Sequence, residues 1–487
     1  VIVGGKRPEI KREKNTSFER GDFVSWGMST GEQRVERDTM GEMEVPQDAL
    51  WGATTQRAVL NFPVSGDLLD PAVIHAYGLI KWAAARANRE LATVPPELAD
   101  LIETAAVEVF EGKLDGHFVV DVFQTGSGTS TNMNVNEVIA NRCSQLSGEA
   151  LGSKTPVHPN DHVNQSQSSN DTFPTAIHIA VAMSLKTDLI PSLERTRDSL
   201  MAKAEAFHDV FKIGRTHLMD ATPVRLGQEF GGYARQLDLA VVRAKKALAS
   251  LSELPLGGTA VGTGLNCPLG FPALAIAFLS EKTGLAFVEA ENHFEAQSAR
   301  DAIVEVSGQL KTIATSLFKI ANDIRWLGSG PRCGLGEIAL PATQPGSSIM
   351  PGKVNPVMAE AVMQVCAQVI GNDTAVTWGG ANGNFELNVM MPMMAQNTLK
   401  SIRILSRVLD LFRERCLDGI IANEARCFEL IEWSTAMVTI LAPRIGYELA
   451  AEIAKAAMEG GTTVRRICEE RNLLPREELD RLLAPRA

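Results

Sequence analysis

The sequence predicts a mainly α-helical protein, and three observations carry that reading. Between residues 294 and 327, Ile303, Val306, Leu310, Ile313, Leu317, Ile320 and Ile324 recur at alternating steps of three and four. Such a stripe, held over about three heptads, belongs to a long helix packed against other helices. Helical patterning returns over residues 71–92, 174–207, 224–251 and 387–417, joined by Gly- and Pro-rich segments. Helices of roughly 25 to 35 residues exceed the average of about 11 to 12, which favours an elongated bundle over a doubly wound sheet. Strands are expected only as short pieces around residues 36–51, where Gly and Pro interrupt any helix.

At 487 residues the chain can form two or three domains, and 45% hydrophobic with 22% charged residues is ordinary for a soluble globular protein. The 47 Lys and Arg against 58 Asp and Glu give a net charge of −11, with no dense basic run. No nucleic-acid or membrane-surface partner is therefore expected. A small dianion remains compatible, because local cations such as Arg215 and Lys353 can focus a field that net charge does not describe. No uninterrupted apolar run approaches the roughly 20 residues that span a bilayer. Cys143, Cys267, Cys333, Cys366, Cys416, Cys427 and Cys468 are scattered without a Cys-x-x-Cys pair. That pattern fits free thiols in a cytoplasmic protein better than a disulfide framework or a zinc site. Residues 1–27 precede a second plausible start at Met28. Glu9, Glu13, Glu19 and Asp22 argue against a transit peptide, and the segment is expected to be a disordered tail.

The densest chemistry lies in Gly346-Ser347-Ser348-Ile349-Met350-Pro351-Gly352-Lys353-Val354-Asn355-Pro356. Gly and Pro shape the backbone as a loop, while Ser347, Ser348, Lys353 and Asn355 offer proton-transfer, anion-binding and hydrogen-bonding groups. Three further polar segments precede it: residues 125–134 (Thr-Gly-Ser-Gly-Thr-Ser-Thr-Asn-Met-Asn), residues 158–171 (His-Pro-Asn-Asp-His-Val-Asn-Gln-Ser-Gln-Ser-Ser-Asn-Asp) and residues 214–223 (Gly-Arg-Thr-His-Leu-Met-Asp-Ala-Thr-Pro). Short hydroxyl and amide side chains beside Gly or at helix starts suit carboxylate oxygens, although each taken alone is more often a helix cap. His217 is the side chain best suited to exchange protons near neutral pH.

These four segments, in this order, resemble the fumarase/aspartase superfamily, and the Pro-Gly-Lys-Val-Asn-Pro form and His217 resemble its class II, iron-independent fumarase branch. The likeness runs from about Arg34 to the C-terminus. It implies a three-domain fold with a central long-helix bundle forming a tetramer core, divided as a tail to residue 27, a mixed, mainly helical domain 28–167, a bundle 168–418 and a small helical domain 419–487. It also implies reversible hydration of fumarate to L-malate by anti addition and elimination through a carbanion, as in the tricarboxylic acid cycle, with no cofactor and no metal.

The resemblance makes Ser347 the base for the carbon-bound proton, and His217 with Glu360 the pair that handles the departing hydroxyl. It assigns the carboxylates to Ser127, Thr129, Ser168, Ser169, Asn170, Thr216, Ser348, Lys353 and Asn355. His158, Asn160 and Asp161 correspond to a secondary anion site. The active sites of a homotetramer would each draw on three subunits, so Ser127, His217 and Ser347 would come from separate chains. Ser is a poor base in water, so the loop must supply donors and positive charge that favour the alkoxide.

Aspartate ammonia-lyase is the nearest rival, and Gln commonly stands there where this chain has His217. A non-catalytic helical assembly protein is the rival from another class. The Gly-rich runs at 126–128 and 256–264 lack a phosphate-loop or dinucleotide context, and His158, Asp161 and His162 suggest a metal by residue type alone. Two departures from the family pattern stand out. Thr155-Pro156 occupies a stretch where some relatives carry a basic residue, and Val357-Met358-Ala359 replaces a Thr- and Cys-containing continuation.

Overall fold

The computed structural model describes residues 31–483, and five long helical stretches set its architecture: Ser169–Ala206, Leu226–Ser250, Asp301–Leu327, Val357–Gly380 and Met391–Arg415. Helix Ile190–Ala206 packs on Leu226–Ser250, which touches Asp301–Leu327. That helix packs on Val357–Gly380, which packs on Met391–Arg415, which returns to Ile190–Ala206. All seven residues of the 303–324 stripe are buried. The mainly α-helical expectation is met, and helix Pro71–Glu90 matches its predicted span closely.

Three predicted helices shift, each for a local reason. The stripe helix begins at Asp301, not near 294, because Asn292 caps a separate short helix, His293–Ser298, and the chain turns at Ala299–Arg300. The helix expected from 174 starts at Ser169, where Ser168 caps it and Pro174 sits inside. The 387–417 helix begins at Met391, after a short strand, Leu387–Asn388, that pairs with Gly383–Asn384.

Helix Val357–Gly380 is absent from the predicted set. Its buried residues Ala359, Val362, Cys366, Val369, Asp373 and Val376 keep the three-and-four spacing, but polar Asn372 and Asp373 interrupt the stripe and Ile370 and Trp378 lie outside it. Asp373 is held in the seam by Ser307 Oγ at 2.9 Å and Lys311 Nζ at 2.6 Å. Asn372 Nδ2 donates to Ser401 Oγ at 3.0 Å on the next helix. Polar groups satisfied inside a seam fix the register of the helices around them.

Among the described residues the sheets are all two-stranded. Gln33–Asp38 and Gly41–Pro46 form a hairpin that starts slightly before the expected strand region. A second hairpin, Phe211–Thr216 with Met219–Arg225, was not anticipated. One hydrophobic cluster spans Leu50 to Cys427, and a second joins Ile213 to Ile431, Leu441, Ile453 and other residues up to Leu483. Against the expectation that no run approaches spanning length, the continuous helical stretch Ser169–Ala206 is long and apolar enough to cross a membrane. Its apolar window is 67% buried inside the protein, as befits a core helix.

Leu317→Ala, at a site 1% exposed, should cost about 2–5 kcal/mol in chemical unfolding. Thr315→Ala, on the exposed side of the same helix, should stay within about 0.5 kcal/mol.

Candidate active site

Two of the polar segments meet at the starts of two helices. The loop Gly126-Ser127-Gly128 leads into helix Thr129–Leu146. A Cβ on Gly126 would lie 1.7 Å from the Val389 carbonyl oxygen, and Met391 N donates to the Gly126 carbonyl at 3.1 Å. Only Gly lets the loop press against this segment. Ser127 Oγ and Thr129 Oγ1 are 2.9 Å apart, and Thr129 Oγ1 lies 2.7 Å from Ser169 Oγ, so three hydroxyls link the two helix starts. Asn170 Nδ2 donates to the Ala260 carbonyl at 2.8 Å, which brings the Gly-rich loop of residues 256–264 to the same place. Ser168 Oγ accepts from Asn170 N at 3.2 Å and serves as the helix cap, the structural use that short hydroxyls at helix starts favour.

Beneath these groups lies a carboxylate that the sequence reading did not assign. Asp171, fully buried, accepts from Ser168 N at 2.9 Å and from both Gly257 N and Thr259 N at 3.0 Å. It thereby ties the Gly-rich loop to the helix start. Burial pushes its pKa up to about 6, opposed by these three N–H donors and by the charge of Lys81. Lys81, also fully buried, donates to Asn164 Oδ1 at 3.1 Å and Gln167 Oε1 at 3.0 Å, and burial pulls it down to about 7. The Ser-x-x-Asp spacing of a capping box could have revealed Asp171. Nothing in the Ala-rich stretch around Lys81 marks that residue.

His217 sits at the tip of the Phe211–Arg225 hairpin, in a two-residue turn flanked by Thr216 and Met219. Both turn residues, His217 (φ 58°) and Leu218 (φ 61°), are left-handed, a conformation that such turns usually give to Asn or Gly. Holding two other side chains there costs about 1–2 kcal/mol each. His217 and Thr216 are exposed. The base of the hairpin is anchored instead: Arg215 Nη1 donates to Glu337 Oε2 at 2.8 Å, and buried Lys212 Nζ lies 3.4 Å from the same oxygen and 2.9 Å from Glu229 Oε1. The charge of Arg215, expected to serve a dianion, is thus spent on a fully buried carboxylate.

The signature loop is closed on itself. Gly346 N donates to the Lys353 carbonyl at 2.7 Å, and Asn355 Nδ2 donates to the Gly346 carbonyl at 2.7 Å. Asn355 therefore gives one amide hydrogen to loop closure. Ser347 Oγ accepts backbone N–H bonds from Ile349 at 3.2 Å and Met350 at 3.0 Å. Ser347 and Lys353 line a cavity of about 380 Å³, and Lys353 and Ser348 are exposed. Glu360 lies half-buried in the first turn of helix Val357–Gly380.

Within one chain these groups fall in separate places, and the cavity that Ser347 and Lys353 line is bordered only by residues of the 342–354 segment. Among the described residues, no hydrogen bond or ion pair joins His217 to Glu360, or either of them to Ser347 or the Ser127–Thr129–Ser169 hydroxyls. The expected secondary site forms a separate feature. His158 Nδ1 accepts from Asn160 N and Asp161 N, both at 3.2 Å, capping the turn Pro159–Val163. An acceptor Nδ1 cannot also donate to Asp161, so the 3.3 Å approach of that carboxylate is not an ion pair. His158 and Asn160 line a cavity of about 500 Å³ with Arg37 and Lys154. Lys154 thus provides a cation one residue before Thr155.

The sequence profile of a lyase family matches residues 41–371, and that of the fumarase C C-terminus matches residues 437–487. The chain is 54% identical over 452 residues to the class II fumarate hydratase of Neisseria meningitidis, covering 93% of this chain and 98% of that one. It is 56% identical to the Mycobacterium tuberculosis class II fumarate hydratase, covering 92% and 94%. The crystal structure of a Schistosoma mansoni class II fumarase superposes with a TM-score of 0.90 at 40% identity, covering 93% of this chain and 98% of that one. A Brucella melitensis fumarate lyase:delta crystallin structure, bound to cobalt, gives 0.90 at 45% identity, covering 93% and 99%.

Buried Lys81 has a signature in pH. Between about 7 and the ordinary lysine value of 10.5, the unfolded chain holds a proton that native Lys81 has released. This group's contribution to stability therefore rises with pH there, by at most about 1.4 kcal/mol per unit. Lys81→Met should remove that rise, read as a flatter unfolding free energy from pH 7 to 9 relative to the parent protein.

Proposed function

The chain belongs to the class II fumarate hydratase family, and from that premise we propose how its residues divide the interconversion of fumarate and L-malate. It is a lyase of the fumarate hydratase kind rather than an aspartate ammonia-lyase. In the dehydration direction, Ser347 takes the proton from the carbon next to one malate carboxylate. The electron pair left behind spreads into that carboxylate, and the hydroxyl on the neighbouring carbon leaves from the opposite face as water. His217, paired with Glu360 of another chain, delivers the proton that the departing hydroxyl needs. Hydration runs the same steps backwards.

The observation that carries this reading is the pair of N–H groups on Ser347 Oγ. An oxygen already accepting two backbone hydrogen bonds is stabilised as an alkoxide, and the positive charge of Lys353 in the same loop adds to that effect. Lys353, Ser348 and the remaining amide hydrogen of Asn355 can then meet the carboxylate whose charge grows. Ser127, Thr129, Ser169 and Asn170, with Thr216 from the hairpin, hold the other end, while Ser168 positions them through its cap. His158, Asn160 and Asp161, with Lys154, form the secondary anion site.

We also propose a homotetramer in the cytoplasm whose active sites draw on three subunits. Two features support the assembly. The central helices carry large apolar residues that one chain leaves exposed, including Phe318, Trp326, Ile370 and Trp378. His217 and Glu360 also find no mutual contact within the chain. The second hydrophobic cluster, drawn from Ile431 and later residues together with Ile213 of the hairpin, supports a small C-terminal domain, 419–487, after the proposed domains 28–167 and 168–418.

Purified protein should form fumarate from L-malate, followed by ultraviolet absorbance, and none from L-aspartate. Ser347→Ala and His217→Asn should each lower kcat by about 10²–10⁴-fold with the assembly mass unchanged in light scattering. Fumarate from aspartate, or full activity in Ser347→Ala, would contradict the assignment.

A further inference from the structure

Three parts of the chain meet at Glu337, a fully buried residue that the reaction described above does not use. Its backbone N–H donates to the Leu327 carbonyl at 2.9 Å, at the end of the Asp301–Leu327 helix. Its carbonyl accepts at 2.8 Å from the N–H of Asn423, the residue that caps the C-terminal helix Glu424–Trp433. Its side-chain Oε2 accepts from Arg215 Nη1 at 2.8 Å and lies 3.4 Å from Lys212 Nζ, both on strand Phe211–Thr216 of the hairpin that carries His217.

Neighbouring contacts tighten the same junction. Strand Ile338–Ala339 pairs with Ile421–Ala422, and Asn423 Nδ2 donates to the Gly336 carbonyl at 3.0 Å. Arg426, on the C-terminal helix, donates from Nε to the Leu335 carbonyl at 3.1 Å and from Nη2 to the Gly334 carbonyl at 3.3 Å. The segment that carries Glu337 is therefore held along that helix. From the hairpin side, Ile213 enters the hydrophobic cluster of Ile431, Leu441 and Ile453. Lys212 is shared with Glu229 of helix Leu226–Ser250 at 2.9 Å, so two cations face two carboxylates.

We propose that Glu337 is a positioning residue of the reaction, whose carboxylate sets the hairpin, and with it His217, against the bundle and the C-terminal helix. This rests on the reading of His217 as the proton carrier. An apolar contact such as that of Ile213 can slide, whereas a charge-assisted hydrogen bond fixes direction. A buried ion cluster adds little net stability over apolar packing, so its contribution here is geometry. In the ribbon Arg215 pairs with Asp220 and Thr216 with Met219, so His217 and Leu218 alone lie beyond the last pair. Holding Arg215 thus holds the stem two residues from His217. Misplacing a reacting group by 1 Å can cost about 10²-fold in rate, and an error at the stem is carried to the tip. The C-terminal helix acts on His217 through the segment it grips.

The test is malate dehydration by the assembled full-length protein, with kcat and KM measured for Glu337→Gln and Arg426→Ala in the parent and in His217→Asn. Glu337→Gln should lower kcat at least about 10-fold with KM within about 2-fold of the parent. Because Glu337 is buried, Arg426→Ala, at a half-buried position, is the companion variant, expected to lower kcat about 3-fold or more. In the His217→Asn background neither substitution should lower kcat further by more than about 2-fold, since a residue that acts only through His217 has nothing left to position. Parent-like kcat in folded Glu337→Gln, or in Arg426→Ala where the first variant does not fold, would overturn the proposal and leave the role of His217 standing. So would a loss that multiplies with that of His217→Asn. Full activity in His217→Asn would overturn the reading of His217 and the proposal with it.

Discussion

The packing of the apolar stripes along the five long helical stretches is the constraint from which the chemistry hangs. The hydroxyls of Ser127, Thr129 and Ser169 lie at the starts of two helices. His217 lies on a hairpin between Ile190–Ala206 and Leu226–Ser250, and the Ser347 loop leads into Val357–Gly380. A helix in a packed bundle is a rigid rod about 1.5 Å long per residue, so whatever sits at its end is held at a fixed distance from its neighbours. The polar seam contacts of Asp373 and Asn372 add a register that apolar packing alone would leave free to slide.

Rigid rods position their ends well but also keep them apart, and the local structure at each end serves a different purpose. At the first cluster, Asp171 gathers backbone N–H groups from two segments, so a buried charge acts as a staple and not as a reactant. At the hairpin, the buried Glu337 with Arg215 and Lys212 braces the base while the tip holds two left-handed residues in solvent. At the signature loop, short backbone bonds preorganise two donors on one serine oxygen. In the proposed function the first end binds, the second presents a proton carrier, and the third stabilises a charge. Each is incomplete without the others.

Much of this was legible in the sequence, for a physical reason. The stripe of Ile303 to Ile324 and the Pro71–Glu90 helix could be read because apolar residues faced one side and polar ones the other. Helix Val357–Gly380 was not, since its seam contains Asn372 and Asp373 and its far side contains Ile370 and Trp378, so no single face stood out. The hairpin that carries His217 was missed because its turn uses His-Leu where Asn-Gly would have announced it. Motif resemblance marked Ser347, His217 and the hydroxyls as candidates but could not tell a cap from a ligand. Ser168 lies in a motif of candidate ligands yet caps a helix, and Arg215 lies beside His217 yet belongs to the bracing network. Lys81 left no trace, because burial is a property of the fold and not of the residues next to it.

In the proposed mechanism one chain supplies the pieces of the site and only assembly closes it. Mixing Ser347→Ala and His217→Asn protein in equal amounts, dissociating the mixture and allowing it to reassemble tests this directly. If Ser347 and His217 meet across chains, random assembly leaves about a quarter of the sites with both residues intact, and malate dehydration should recover to about that fraction of the parent rate. No recovery in a fully reassembled mixture would mean that both residues come from the same chain, and would contradict the account.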